Sequence, residues 1–162
     1  MRKVCQIVVL LLWTVGASAQ NGLQGTWVMS HGALGVKVTN TMTFSSDTRG
    51  TVTNKYAVTM DISQMGTKVS GETEISECGT FIYDGSTLTI NWDRNSLVTT
   101  SKAVEVTKDG EPVPDAARKF QDMMNEISDV MSSVEMSVDS YTEVKIKTDR
   151  ISLDGDKFKR VK

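Results

Sequence analysis

Apolar and polar residues alternate along most of the chain. Val36, Val38, Asn40, Met42 and Phe44 are interleaved with Lys37, Thr39, Thr41 and Thr43. Val52, Asn54, Tyr56, Val58, Met60 and Ile62 are interleaved with Thr51, Thr53, Lys55, Thr59 and Asp61. A period of two predicts strands with one dry and one wet face. That pattern belongs to antiparallel sheets, since parallel ones are buried on both sides. Turn signals separate the runs: Asp47-Thr48-Arg49-Gly50, Asp84-Gly85, Asp109-Gly110 and Asp154-Gly155. Asp-Gly suits tight hairpins because glycine accepts a positive φ at little cost. The pattern predicts strands near 23–31, 36–45, 50–62, 67–77, 79–83, 87–92, 97–107, 140–148 and 150–161. The expected fold is mainly β, an antiparallel up-and-down barrel of about eight strands.

One segment changes period. Ala116, Phe120, Met123, Ile127, Val130 and Val134 recur at alternating spacings of four and three, one apolar stripe of a helix over 114–136. Pro114 and Asp115 suit its first turn. Met124 and Met131 widen the stripe. This amphipathic helix is inserted before the last two predicted strands. The outward strand positions are mostly Thr, Lys, Ser and Glu, so the barrel wall offers it little apolar surface. We expect the helix to cover an open barrel end, with a dimer contact as the alternative.

The first residues bear on compartment. Arg2 and Lys3 precede the apolar run Ile7–Trp13, which ends in Ala17-Ser18-Ala19 before Gln20. That is the layout of a cleaved signal peptide over 1–19. The run falls short of the ~20 residues that span a bilayer, so no transmembrane span is expected after cleavage. Cys5 is far from Gln20, so lipidation at the cleavage site is not expected. The mature chain, 20–162, reads as one exported domain, periplasmic or extracellular. It keeps Cys78 alone and so has no internal disulfide. The whole chain holds 18 Lys+Arg and 20 Asp+Glu; without Arg2 and Lys3 the balance is 16 against 20, a net charge of −4. With no dense basic patch, nucleic acid is not an expected partner.

Candidate chemistry is sparse. His31 is the sole histidine, which leaves no multi-histidine triad or metal site. Cys78 as a nucleophile would need His31 as its base. Glu72, Glu74 and Ser76 follow the outer phase. There is no phosphate loop and no hydrolase or metalloprotease motif. The expectation is a binding protein, not an enzyme, with no cofactor and no metal. The inward phase says more. Asn40, Asn54, Thr73, Glu77 and Thr100 fall in step with apolar neighbours. A polar group there needs a partner, or it costs ~1–3 kcal/mol. Ligand atoms could supply that partner, or the side chains could satisfy one another. Candidate ligand contacts are Asn40, Met42, Asn54, Tyr56, Thr73, Glu77 and Trp92 on the inner face, with Met123, Met124 and Met131 on a helical lid. Flexible methionines suit varied apolar ligands and fill irregular cores equally well.

Leu23-Gln24-Gly25-Thr26-Trp27 resembles the G-x-W signature that opens the first strand of lipocalins and other calycins. Met42-Thr43-Phe44-Ser45-Ser46-Asp47, Gly79–Leu88 and Leu153–Arg160 are similar to segments of bacterial lipocalin-like envelope proteins. The resemblance implies that Trp27 plugs one barrel end under a basic side chain, Arg160 or else Arg150, with Gly25 part of the same signature. It also implies a small apolar or amphipathic ligand inside the barrel. The chain departs from that pattern in placing its helix before the last strands and in lacking a disulfide. The competing expectation is a filled barrel that acts as a protein-interaction or inhibitor module. The large inward residues Phe44, Tyr56, Phe81 and Trp92 favour filling, and the polar inward residues favour a pocket.

Overall fold

The computed structural model describes residues 22–133 and 138–162. The expected signal peptide at 1–19 lies outside the described residues, as does the end of the predicted helix, 134–136. The alternating runs form β1 (Gly25–Ala33), β2 (Val36–Phe44), β3 (Arg49–Gln64), β4 (Thr67–Tyr83), β5 (Leu88–Lys108), β6 (Glu111–Pro112), β7 (Val138–Tyr141), β8 (Val144–Ile146), β9 (Arg150–Leu153) and β10 (Asp156–Arg160). The one described helix, α1 (Pro114–Ser133), lies between β6 and β7. The fold is mainly β. Every pairing is antiparallel, in the order β6-β5-β4-β3-β2-β1-β10-β9-β8, with β7 beside β5. This path is open. One stretch of chain links β5 to β9: its first half (β7) pairs with β5 and its second half (β8) with β9.

Two predicted breaks are absent. Runs 67–77 and 79–83 are one strand, because Gly79 is there for close approach and not for a turn. A Cβ at Gly79 would come within 2.5 Å of the Asn91 carbonyl oxygen and 2.9 Å of the Trp92 ring. Runs 87–92 and 97–107 are also one strand. Register slips twice between β4 and β5, between Ser70/Glu72 and between Ser76/Cys78. Ser96 supports the second slip: its Oγ accepts from Cys78 N at 2.7 Å and donates to Asp93 O at 2.6 Å. Each slip inserts an odd number of residues and so swaps the faces of β5. Thr99 and Ser101 therefore stand opposite Ile75 and Thr73, while Thr100 stands opposite Glu74 on the outer face. The assignment of Thr100 to the inner face is corrected accordingly.

The last two predicted strands are instead four short ones, so α1 precedes four strands. Thr142 and Glu143 separate β7 from β8 because both their N–H groups donate to Asp154 Oδ1, at 2.9 and 2.7 Å. Asp154-Gly155 forms a two-residue hairpin between β9 and β10, with φ of 46° and 103°. Asp109-Gly110 turns likewise between β5 and β6. The β1–β2 and β3–β4 hairpins use Leu34-Gly35 and Met65-Gly66, again with both φ positive.

The inner face carries two apolar cores. The first gathers Leu23, Trp27, Met42, Phe44, Val52, Phe81, Leu88, Ile90, Trp92, Ile151, Leu153 and Phe158. Phe44 and Phe81 meet edge to face, with centroids 5.0 Å apart. The second lies towards the far ends of β3, β4 and β5. It consists of Met60, Val69, Val104 and Val106, with Val113, Ala116, Ala117 and Phe120 packed on it. The first turns of α1 thus cover that end of the inner face. Gln121 ties the helix to the sheet, its Oε1 accepting from Val104 N at 3.0 Å.

Candidate functional site: a polar belt on the inner face

Residues paired across antiparallel strands point to the same face. Register therefore sorts the inner positions into rows. One row runs Trp27, Met42, Asn54, Glu77. The next runs Met29, Asn40, Tyr56, Ile75, Thr99. A third pairs Val58, Thr73 and Ser101. The polar members of these rows form a belt between the two cores. From β7, Asp139 and Tyr141 join it, since they stand opposite the inward Ile90 and Leu88.

Within the belt, Asn54 Nδ2 donates to Glu77 Oε1 at 3.3 Å, and Thr73 Oγ1 lies 3.1 Å from Ser101 Oγ. Trp92 Nε1 donates to Asp139 Oδ2 at 2.7 Å. Arg94, carried inward beside the slip in β5, has Nη1 3.9 Å from Glu77 Oε2, beyond hydrogen-bond reach. Asn40 and Asn54 are 5 % and 4 % exposed. Asn40 Oδ1, Asn54 Oδ1 and Glu77 Oε2 are buried with no hydrogen-bond partner. Burial pushes the Tyr56 phenol above its ordinary range; an Asn54 hydrogen bond opposes this, and the carboxylates of Asp139, Glu77 and Asp156 add to it. Burial raises Tyr141 further, with Asp139 and Tyr56 contributing. Both phenols therefore stay protonated and can donate.

Of the residues singled out in the sequence, the belt gathers Asn40, Asn54, Tyr56, Glu77 and, one row on, Thr73. Trp92 reaches it through Asp139. Met42 lies in the first core, 2 % exposed. Met123 is exposed at 43 % and stands apart. The side chains of Met124 and Met131 lie outside the described residues. Asp139, Tyr141 and Arg94 belong to the belt but escaped the sequence reading. The alternation Asp139-Ser140-Tyr141 was the signal for the first pair, and Arg94 follows inward Ile90 and Trp92 at the same spacing of two.

Trp27 is fully buried, and its Nε1 donates to Leu23 O at 2.7 Å. Arg160 Cζ stacks 4.2 Å from the centre of the ring. The guanidinium also donates from Nη1 to Gln24 O at 2.8 Å and from Nη2 to Gly22 O at 2.5 Å. Gly25 has φ of 121°, and a Cβ there would stand 3.2 Å from Arg160 Nη1. Arg150 instead pairs with Asp149 at 3.4 Å. His31 is exposed on β1. Cys78 is half-buried on the outer phase of β4. Glu74 and Glu72 pair with Lys55 and Lys102 across the outer face.

Comparison with protein-family models, curated proteins and solved structures finds no match to this chain. Among the described residues, no group of three or more His, Cys, Asp or Glu could hold a metal ion, and no helix is long and apolar enough to cross a membrane.

Proposed function

We propose that this chain is an exported lipocalin-like protein whose sheet wraps into an up-and-down barrel, and that it binds a small apolar or amphipathic molecule at the polar belt. One observation carries the binding reading: three buried acceptors of the belt have no hydrogen-bond partner, and each costs ~1–3 kcal/mol unless something meets it. Native sheets rarely keep such a cluster without use for it. The wrapped shape is supported by the passage from β7 to β8, which runs from pairing with β5 to pairing with β9. The Trp27–Arg160 stack supports the lipocalin-like reading. The test is native mass spectrometry on protein purified gently from its own compartment. A copurified small molecule, about one per chain, is expected. A clean apo mass that added lipids, fatty acids and amines leave unchanged would refute the reading.

A second reading, a module that docks on a protein partner, draws on the hairpin tips. Leu34 and Met65 are 93 % and 92 % exposed and have positive φ. Asp or Asn would be easier at both positions. Two apolar side chains held at strained, solvent-exposed tips suit contact with an apolar partner surface.

A further inference from the structure

Resting on the binding reading above, we infer that the belt takes the protonated amine of a small amphipathic molecule. The three belt atoms without a hydrogen-bond partner, Asn40 Oδ1, Asn54 Oδ1 and Glu77 Oε2, are all acceptors. The Asn54 amide is oriented by its neighbour: its nitrogen must face the Glu77 carboxylate, where it donates at 3.3 Å, so its oxygen is the atom left without a partner. An ammonium carries three donors and no acceptor, which matches three oxygens. A carboxylate or phosphate head would bring only acceptors to atoms that already lack donors.

Charge points the same way. The carboxylates of Glu77, Asp139 and Asp156 all act on the Tyr56 phenol. Arg94 Nη1 stands 3.9 Å from Glu77 Oε2. Each acceptor comes from a strand position whose place on the inner face is fixed by register.

The test compares three probes with one tail and different heads: dodecylamine, dodecanol and dodecanoate. Binding is followed by calorimetry and tryptophan fluorescence at neutral pH. Dodecylamine is expected to bind about ten-fold or more tighter than dodecanol, as a charged hydrogen-bonded contact implies, with dodecanoate weakest. Glu77→Gln should erase the amine's advantage over dodecanol. Circular dichroism establishes that the variant folds. If it does not, Asn40→Leu replaces it, and the expected result is a selective loss of amine binding. Dodecanol or dodecanoate binding as tightly as the amine would overturn the ammonium assignment and leave the binding reading standing. Amine preference that survives both substitutions would overturn it too. Binding of none of the three would overturn this inference together with the reading on which it rests.

Discussion

Arg160→Met tests how the Trp27 end is held. The guanidinium makes two charge-assisted hydrogen bonds, to Gln24 O at 2.8 Å and Gly22 O at 2.5 Å, and stacks 4.2 Å from the indole centre. Hydrogen bonds of this kind contribute ~1.5–3 kcal/mol each when buried. These two are part-buried, so water replaces a share of each after substitution. Stacking adds ~0.5–2 kcal/mol. Methionine keeps the aliphatic cover over the ring and loses the rest, so the expected cost is ~2–4 kcal/mol, a large share of the ~5–15 kcal/mol of a typical domain. Arg160→Lys keeps the charge but not the fork, and should cost ~1–2 kcal/mol. The assay is urea unfolding followed by far-ultraviolet circular dichroism, since indole fluorescence would itself respond. A cycle with Trp27→Phe isolates the stack, with an expected coupling of ~0.5–2 kcal/mol. A loss below ~0.5 kcal/mol for Arg160→Met, on the scale of an ordinary surface change, would refute the reasoning. Burial of Trp27 would then hold this end without the guanidinium.

Leu34→Asn and Met65→Asn should each stabilise by ~0.5–1 kcal/mol, because asparagine accepts the left-handed backbone more readily; thermal melts check this, and a drop in Tm at either site would contradict it. The same two changes should abolish capture of a protein partner if the tips dock one. Ser96→Ala leaves Cys78 N without its acceptor at 2.7 Å; the expected cost is ~1–2 kcal/mol by urea titration, with unchanged stability as the refuting result. Tyr56 and Tyr141 have pKa values raised above the ordinary range in the folded protein, chiefly by burial. The unfolded chain therefore releases these protons first. Stability should hold at neutral pH and fall as pH rises past ~10, by up to ~1.4 kcal/mol per pH unit for each phenol. Absorbance at alkaline pH should show the exposed-side Tyr83 ionising before the other two, and all three ionising together in the native protein would contradict the burial.

The alternation along β2 and β3 was enough to assign the inner face there, because both strands run without a slip from Val36 to Ile62. The helix start was legible for a similar local reason: Pro114 and the stripe through Phe120 fix where the period changes. What sequence could not show was set by distant partners. Gly79 looks like a strand break until Trp92 and Asn91 are found against it. The split between β7 and β8 depends on Asp154, whose carboxylate takes two N–H groups from a segment more than ten residues earlier. The Leu34 and Met65 turns lack the Asp or Asn that marks such hairpins, so composition did not announce them. Asn40, Asn54, Tyr56, Thr73 and Glu77 were found by phase alone. Asp139 and Tyr141 were missed because their strand pairs with β5, across the helix.

The places where local rules fail fall close together. The slip between Ser76 and Cys78 flanks Glu77. The slip between Ser70 and Glu72 lies beside Thr73. Between them β5 swaps faces, and Thr99 and Ser101 come to stand over Ile75 and Thr73. Slips bend a strand and re-aim its side chains, and they gather near functional sites more than elsewhere. The belt joins three such violations in one place: polar residues in apolar phase, acceptors buried without donors, and a strand that changes faces twice. A filled core could be built on this sheet with fewer of them. That coincidence, more than any single residue, favours a surface shaped to meet a polar group from outside the chain.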